Sequence, residues 1–133
     1  MLDDKNIDRL ISIAKFAREK AYAPYSNQFK VGAAVLVEDG SIFSGCNVEN
    51  ASFGATVCAE RIAIFKAISE GHDSILAVAV IADYPQPISP CGMCLQVISE
   101  FGEDIDVIMT NIKGEIEKSN LKNLLPKSFR FET

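Results

Sequence analysis

Ile75-Leu76-Ala77-Val78-Ala79-Val80-Ile81-Ala82 is an unbroken apolar run, half of it β-branched. Such a run reads as a strand buried on both faces. It falls far short of the ~20 residues that span a bilayer. Working upstream, Ala59, Ile62, Ala63, Phe65, Lys66 and Ala67 repeat at helical spacing, so Thr56 to Glu70 is expected to be a helix stopped by Gly71. Downstream, Pro85-Gln86-Pro87 is a loop, Cys91 to Phe101 a helix stopped by Gly102, and Ile105 to Thr110 another strand.

The flanks complete the pattern. Asp3 to Tyr22 carries Ile7, Leu10, Ile11, Ala14, Ala17 and Ala21 on one helical face, with Asp3 or Asp4 as cap. Phe29 to Val37 and Ser41 to Val48 read as strands joined by the hairpin signal Asp39-Gly40. At the other end a turn, Asn111 to Gly114, joins the strand to a short one at Glu115 to Lys118. So short a connection cannot hold a crossover helix, and these last two strands must pair antiparallel. Leu121 to Leu125 closes the chain as a short helix. The order α-β-β-α-β-α-β-β-α predicts a mixed five-stranded sheet with helices on both faces, a three-layer α/β/α domain over residues 1–133.

The chain has 133 residues, 48% hydrophobic and 23% charged, enough apolar material for one core and no disordered tract. Its formal net charge of -5 opposes binding to a phosphate backbone, so extended nucleic acid is a poor partner and a small uncharged ligand is compatible. The opening MLDDKNIDRL has no basic start and no apolar stretch, which predicts a cytoplasmic protein without membrane attachment.

Four cysteines, Cys46, Cys58, Cys91 and Cys94, suggest metal or catalysis over disulfides in that compartment. Cys58-Ala59-Glu60 and Pro90-Cys91-Gly92-Met93-Cys94 both fall at expected helix starts, where the dipole favours thiolate. Zinc takes sulfur ligands in a tetrahedron, and three cysteines leave one position for water. Glu60, two residues after Cys58, is placed to exchange protons with that water without binding the metal. A closed structural zinc site using all four cysteines, or a redox pair at Cys-x-x-Cys, are the competing readings. Against them stand the twelve-residue step from Cys46 to Cys58, and the presence of Cys58 and Glu60, which a redox pair leaves unexplained. Cys46 reads as a small buried hydrophobe in a strand.

Cys, then Glu two residues on, then P-C-x-x-C is the layout of the zinc deaminases. The chain resembles the small homotetrameric cytidine deaminases from about Tyr22 to Phe129. The resemblance rests on Ala23-Pro24-Tyr25-Ser26, Phe29-Lys30-Val31-Gly32-Ala33-Ala34, Gly45-Cys46-Asn47-Val48-Glu49-Asn50-Ala51-Ser52, Cys58-Ala59-Glu60-Arg61, Ser89-Pro90-Cys91-Gly92-Met93-Cys94 and Leu124-Leu125-Pro126. It implies one zinc per chain on Cys58, Cys91 and Cys94, and Glu60 as proton shuttle. It implies nucleoside contacts at Phe29, Asn47, Glu49, Ala59 and Phe129, the last reaching a neighbouring subunit. It places Arg61 beside the thiolates, withdrawing charge from them. The implied reaction is hydrolytic deamination of cytidine and deoxycytidine in pyrimidine salvage. Rival readings are a deaminase of an aminated analogue such as blasticidin S, a nucleic-acid deaminase, and a zinc-stabilised binding module without catalysis. One departure is Leu95, where similar proteins commonly carry Arg.

Overall fold

The Asp3 carboxylate accepts the Asn6 backbone N–H at 2.8 Å and so caps the first helix, α1 (Asp4–Arg18). The computed structural model describes residues 2–131. Helix α1 stops short of Tyr22 because Tyr22 is taken by a pairing distant in sequence. Its N–H donates to the Asn47 carbonyl, and its own carbonyl accepts from Glu49 N–H. Strands β1 (Val31–Val37) and β2 (Ile42–Cys46) form the expected hairpin. Gly40 supplies the turn with φ of 90°. Strand β1 starts two residues later than expected because the Asn47 side chain occupies the backbone at Phe29 and Val31.

Helix α2 (Ala59–Ser69) begins after Cys58 rather than at Thr56, since Val57 is bridged to Val48 and a 3-10 turn covers Phe53–Ala55. It ends as expected at Gly71, whose φ of 93° lets the His72 N–H reach back to the Ala67 carbonyl. Strand β3 (Ile75–Ala82) matches the apolar run residue for residue. Helix α3 (Gly92–Ser99), strands β4 (Asp106–Asn111) and β5 (Ile116–Asn120) and helix α4 (Leu121–Leu124) follow.

The sheet order is β2-β1-β3-β4-β5. β3 and β4 are parallel, and every other neighbouring pair, including β4–β5, is antiparallel. β3 occupies the centre and is buried along its length apart from Leu76. Alternation along β1 sorts the two faces. Val31, Ala33, Val35 and Val37 join Ala59, Ala63 and Ala67 of α2 and Ile98 of α3 in the larger core. Ala34 and Leu36 join Leu10 and Ala14 of α1 on the opposite face. The architecture is therefore the three-layer α/β/α arrangement with a mixed sheet.

Two glycines set how closely the helices approach. A Cβ on Gly45 would lie 2.5 Å from both the Ala59 carbonyl oxygen and the Ala63 nitrogen, so the backbone of α2 rests directly on β2. Gly32 has the same relation to the Ala14 carbonyl of α1. Gly45→Ala should overpack this contact and lower the unfolding free energy by roughly 1–3 kcal/mol, the usual cost of an intruding methyl. Gly54→Ala, facing open space, should change it by less than about 0.5 kcal/mol. Urea unfolding followed by circular dichroism compares the two, and equal midpoints would contradict the close seating of α2.

Candidate active site

Helices α2 and α3 begin at the same place. Cys58 is the N-cap of one and Cys91 of the other, both with extended backbone, and neither thiol caps its own helix. The side chains are thus free to face each other, and Cys94 joins them from the first turn of α3. The Sγ atoms of Cys58 and Cys91 are 3.9 Å apart, and those of Cys91 and Cys94 3.4 Å. All three lie within 4.8 Å of one another, the one such potential ligand cluster among the described residues. Tetrahedral zinc with Zn–S bonds of about 2.3 Å places its sulfurs about 3.8 Å apart. The donor set and its spacing fit that ion. Cys46 is outside the cluster, on β2.

Electrostatics favour anionic sulfur here. Two helix N-termini, each with unpaired N–H groups and the positive end of a dipole, meet beside the trio. The Cys58 thiol is lowered to about 5, chiefly by hydrogen bonding from Cys94, against partial burial and with help from Arg61. Cys94 is pushed above the ordinary thiol range, by that same bond to Cys58 and by burial. Arg61 Nη2 stands 3.6 Å from Cys58 Sγ and 3.5 Å from the Thr56 carbonyl oxygen. Its Nε is buried with no partner among the described residues. The sulfurs hold its proton more firmly than usual, the Cys58 bond foremost.

Glu60, in the first turn of α2, is only 4% exposed. Burial pushes its carboxyl up to about 7, against its own backbone N–H and Arg61 and with Cys58 adding to the rise. A carboxyl at that level both takes and gives protons near neutrality.

A cavity of about 230 Å³ opens onto these groups. It brings Cys58, Cys91, Ala59 and Glu60 together with Phe29 and Asn47. Val31, Thr56 and Ile88, which the sequence did not single out, complete its wall with Ser89. Asn47 is buried and already bonded: Oδ1 accepts the Val31 N–H at 2.8 Å and Nδ2 donates to the Phe29 carbonyl at 2.9 Å. Glu49 lies in an adjoining cavity of about 320 Å³, with Tyr25 and Phe53; Thr56 belongs to both. Its carboxylate accepts the N–H groups of Tyr25 and Ser26 at 2.7 and 3.0 Å, and the Ser26 hydroxyl. The Ser26 hydroxyl is the main reason that it lies below the usual carboxylate range.

Phe129 is not part of this cluster within the chain. It is 67% exposed, stacks edge-on with Phe131, and accepts Gln96 Nε2 on its carbonyl. Leu95 is buried in the larger apolar core, so that position supplies packing instead of charge. A bigger cavity of about 490 Å³, between Glu103 and Arg130, contains none of the cysteines; the chemistry, not the volume, identifies the site.

Comparison with known proteins agrees. The family model of the cytidine and deoxycytidylate deaminase zinc-binding region matches residues 4–110. A cytidine deaminase of Sporosarcina psychrophila is 52% identical over 128 residues, 96% of this chain and 93% of that protein. One of Halalkalibacterium halodurans is 50% identical over 124 residues, 92% of this chain and 93% of that protein. The crystal structure of a cytidine deaminase from Burkholderia pseudomallei, 50% identical, superposes with a TM-score of 0.88 over 92% of this chain and 98% of that one.

The uneven sharing of protons in the trio has a chemical signature. In chelator-treated protein at about pH 6, above the lowered value of Cys58 and below that of an ordinary thiol, iodoacetamide should alkylate Cys58 well before Cys94. Added zinc should protect both. Peptide mass mapping reads the order; preferential reaction at Cys94 would contradict this distribution of charge.

Proposed function

Because the chain belongs to the family of the cytidine and deoxycytidylate deaminase zinc-binding region, we propose that it hydrolyses free cytidine and deoxycytidine to uridine and deoxyuridine with release of ammonia. The observation that carries this reading is a cluster of three thiols, two of which line one small cavity together with a buried carboxyl. A zinc-stabilised binding module would need the thiols but not Glu60.

Cys58, Cys91 and Cys94 would hold the zinc. When bound, it supplies a Lewis acid that makes water a nucleophile at neutral pH. Glu60 moves the protons. It accepts one from the attacking water and places it on N3 of the cytosine ring as oxygen adds to C4. It then carries the second to the exocyclic nitrogen, so that the C4–N bond breaks and ammonia leaves. Water and cytidine become uridine and ammonia with nothing left over. Burial excludes bulk water from Glu60, which suits it to both transfers. Arg61 donates toward Cys58 and offsets the negative charge that three thiolates place around a dication.

Phe29 would form a wall beside the pyrimidine, Ala59 a contact at its polar edge, and Asn47 and Glu49 would orient the sugar hydroxyls. The exposed Phe129 would serve a neighbour's cavity, which requires the homotetramer that similar proteins form. On this reading one domain spans the chain and acts on nucleosides in the cytoplasm. The net charge of -5 and the small cavity favour a free nucleoside over a nucleic acid strand. No helix among the described residues is long and apolar enough to cross a membrane.

Two measurements test the reading. Ultraviolet-monitored turnover of cytidine should be lost in Glu60→Gln by at least the ~10²–10⁴-fold expected of general acid–base removal, with about one zinc per chain retained as in other three-ligand catalytic sites. Zinc-loaded wild type inactive on cytidine and deoxycytidine would reject the substrate. Sedimentation should return the mass of a tetramer, and Phe129→Ala should raise KM; a fully active monomer would remove Phe129 from the site.

A further inference from the structure

Asn111 ends β4 beside Ala82, where the parallel strands β3 and β4 finish together. It is 1% exposed, and the chemistry above does not use it. Both hydrogens of its amide are committed: Nδ2 donates to the Pro85 carbonyl at 3.2 Å and to Glu115 Oε1 at 2.7 Å. Its Oδ1 accepts the Glu115 N–H at 3.1 Å. Glu115 belongs to the β4–β5 turn, but Pro85 belongs to a different segment, the loop from Asp83 to Pro90 that joins β3 to α3. That loop delivers Cys91. It also carries Tyr84, whose ring stands edge-on to Phe29 with centroids 6.3 Å apart, and it supplies Ile88 and Ser89 to the cavity. Pro85, Pro87 and Pro90 stiffen it and remove three of its own donors, so an anchor at one carbonyl constrains the whole segment.

We propose that Asn111 is a positioning residue for the active site: it clamps the Asp83–Pro90 loop at Pro85 and thereby sets the Tyr84–Phe29 and Ile88–Ser89 walls against which the base lies. The proposal rests on the nucleoside reading for its ligand, while the clamp itself is a matter of geometry. Ligands of α/β sheets bind beyond the carboxyl ends of the strands, the end of the sheet where Asn111 stands. Turn closure alone does not account for the residue. The β4–β5 turn is already closed by backbone bonds, Gly114 N–H to the Asn111 carbonyl and Asn111 N–H to the Glu115 carbonyl, with Gly114 at φ of 94°.

Asn111→Asp keeps the shape but sets a carboxylate against the Pro85 carbonyl and the Glu115 carboxylate. Gly114→Ala strains the same turn and leaves the Pro85 bond intact. Asn111→Asp should raise KM for cytidine about tenfold while kcat changes by less than about threefold, a loss of binding geometry without loss of chemistry. Hydrogen exchange in peptides covering 83–91 should quicken. Gly114→Ala should lower the unfolding midpoint and leave KM and that exchange unchanged. Wild-type KM and exchange in Asn111→Asp, or equal changes in both variants, would overturn the proposal. If Asn111→Asp does not fold, Tyr84→Ala removes the brace from the surface and should raise KM; an unchanged KM would overturn it equally. Wild type without cytidine turnover refutes the nucleoside reading instead, and the exchange comparison still decides the clamp.

Discussion

The site depends on one constraint: two helices must begin at the same point on one face of the sheet. Each helix start exposes unpaired N–H groups and the positive end of a dipole, and two of them converging repel each other. Anionic sulfur resolves the conflict. Cys58 and Cys91 sit at the two N-caps without capping, so their thiols face the shared field, and Cys94 follows one turn in. The fold holds the convergence from below. Gly45 lets α2 rest on β2, and the loop leaving the end of β3 aims α3 at the start of α2. The metal site is therefore where the packing of the larger core ends, not an addition to it.

The same convergence accounts for Glu60. A carboxyl in the first turn of a helix is ordinarily stabilised in its charged form. Here burial and the neighbouring Cys58 charge outweigh that preference and lift it to about 7. Arg61, next in sequence, turns to the Cys58 sulfur and to the Thr56 carbonyl. Adjacent residues thus face different partners, Arg61 the Cys58 sulfur and Glu60 the cavity.

What could be read from the sequence was what repeats along the chain. The eight-residue β3, the Asp39-Gly40 hairpin, the Gly71 stop and the antiparallel last pair follow from periodicity and turn chemistry, and the thiol cluster from motif spacing. Several departures share a cause. Tyr22, Phe29, Lys30 and Val57 fall within regular elements by pattern, yet they lie outside them, held by partners distant in sequence. Asn111 was read only as the start of a turn. Its bond to Pro85 joins the end of β4 to a loop 26 residues away, and no local pattern announces such a contact.

Asn47 and Glu49 hold backbone and still keep hydrogen-bonding capacity to spare. A carboxamide has two donor hydrogens and an oxygen with two lone pairs; Asn47 spends one of each on Phe29 and Val31. A carboxylate offers about four acceptor positions, and Glu49 uses three of them on Tyr25 and Ser26. Each residue thus keeps capacity for a sugar hydroxyl while its other bonds fix its direction. The bonds also hold a costly segment: Asn27 and Gln28 both adopt left-handed backbone, with φ of 57° and 64°, a conformation that L-residues seldom adopt in succession. That turn leads directly into Phe29. The groups proposed to read the sugar thus also set the ring proposed to face the base, so a loss at either residue would reach both halves of a nucleoside at once.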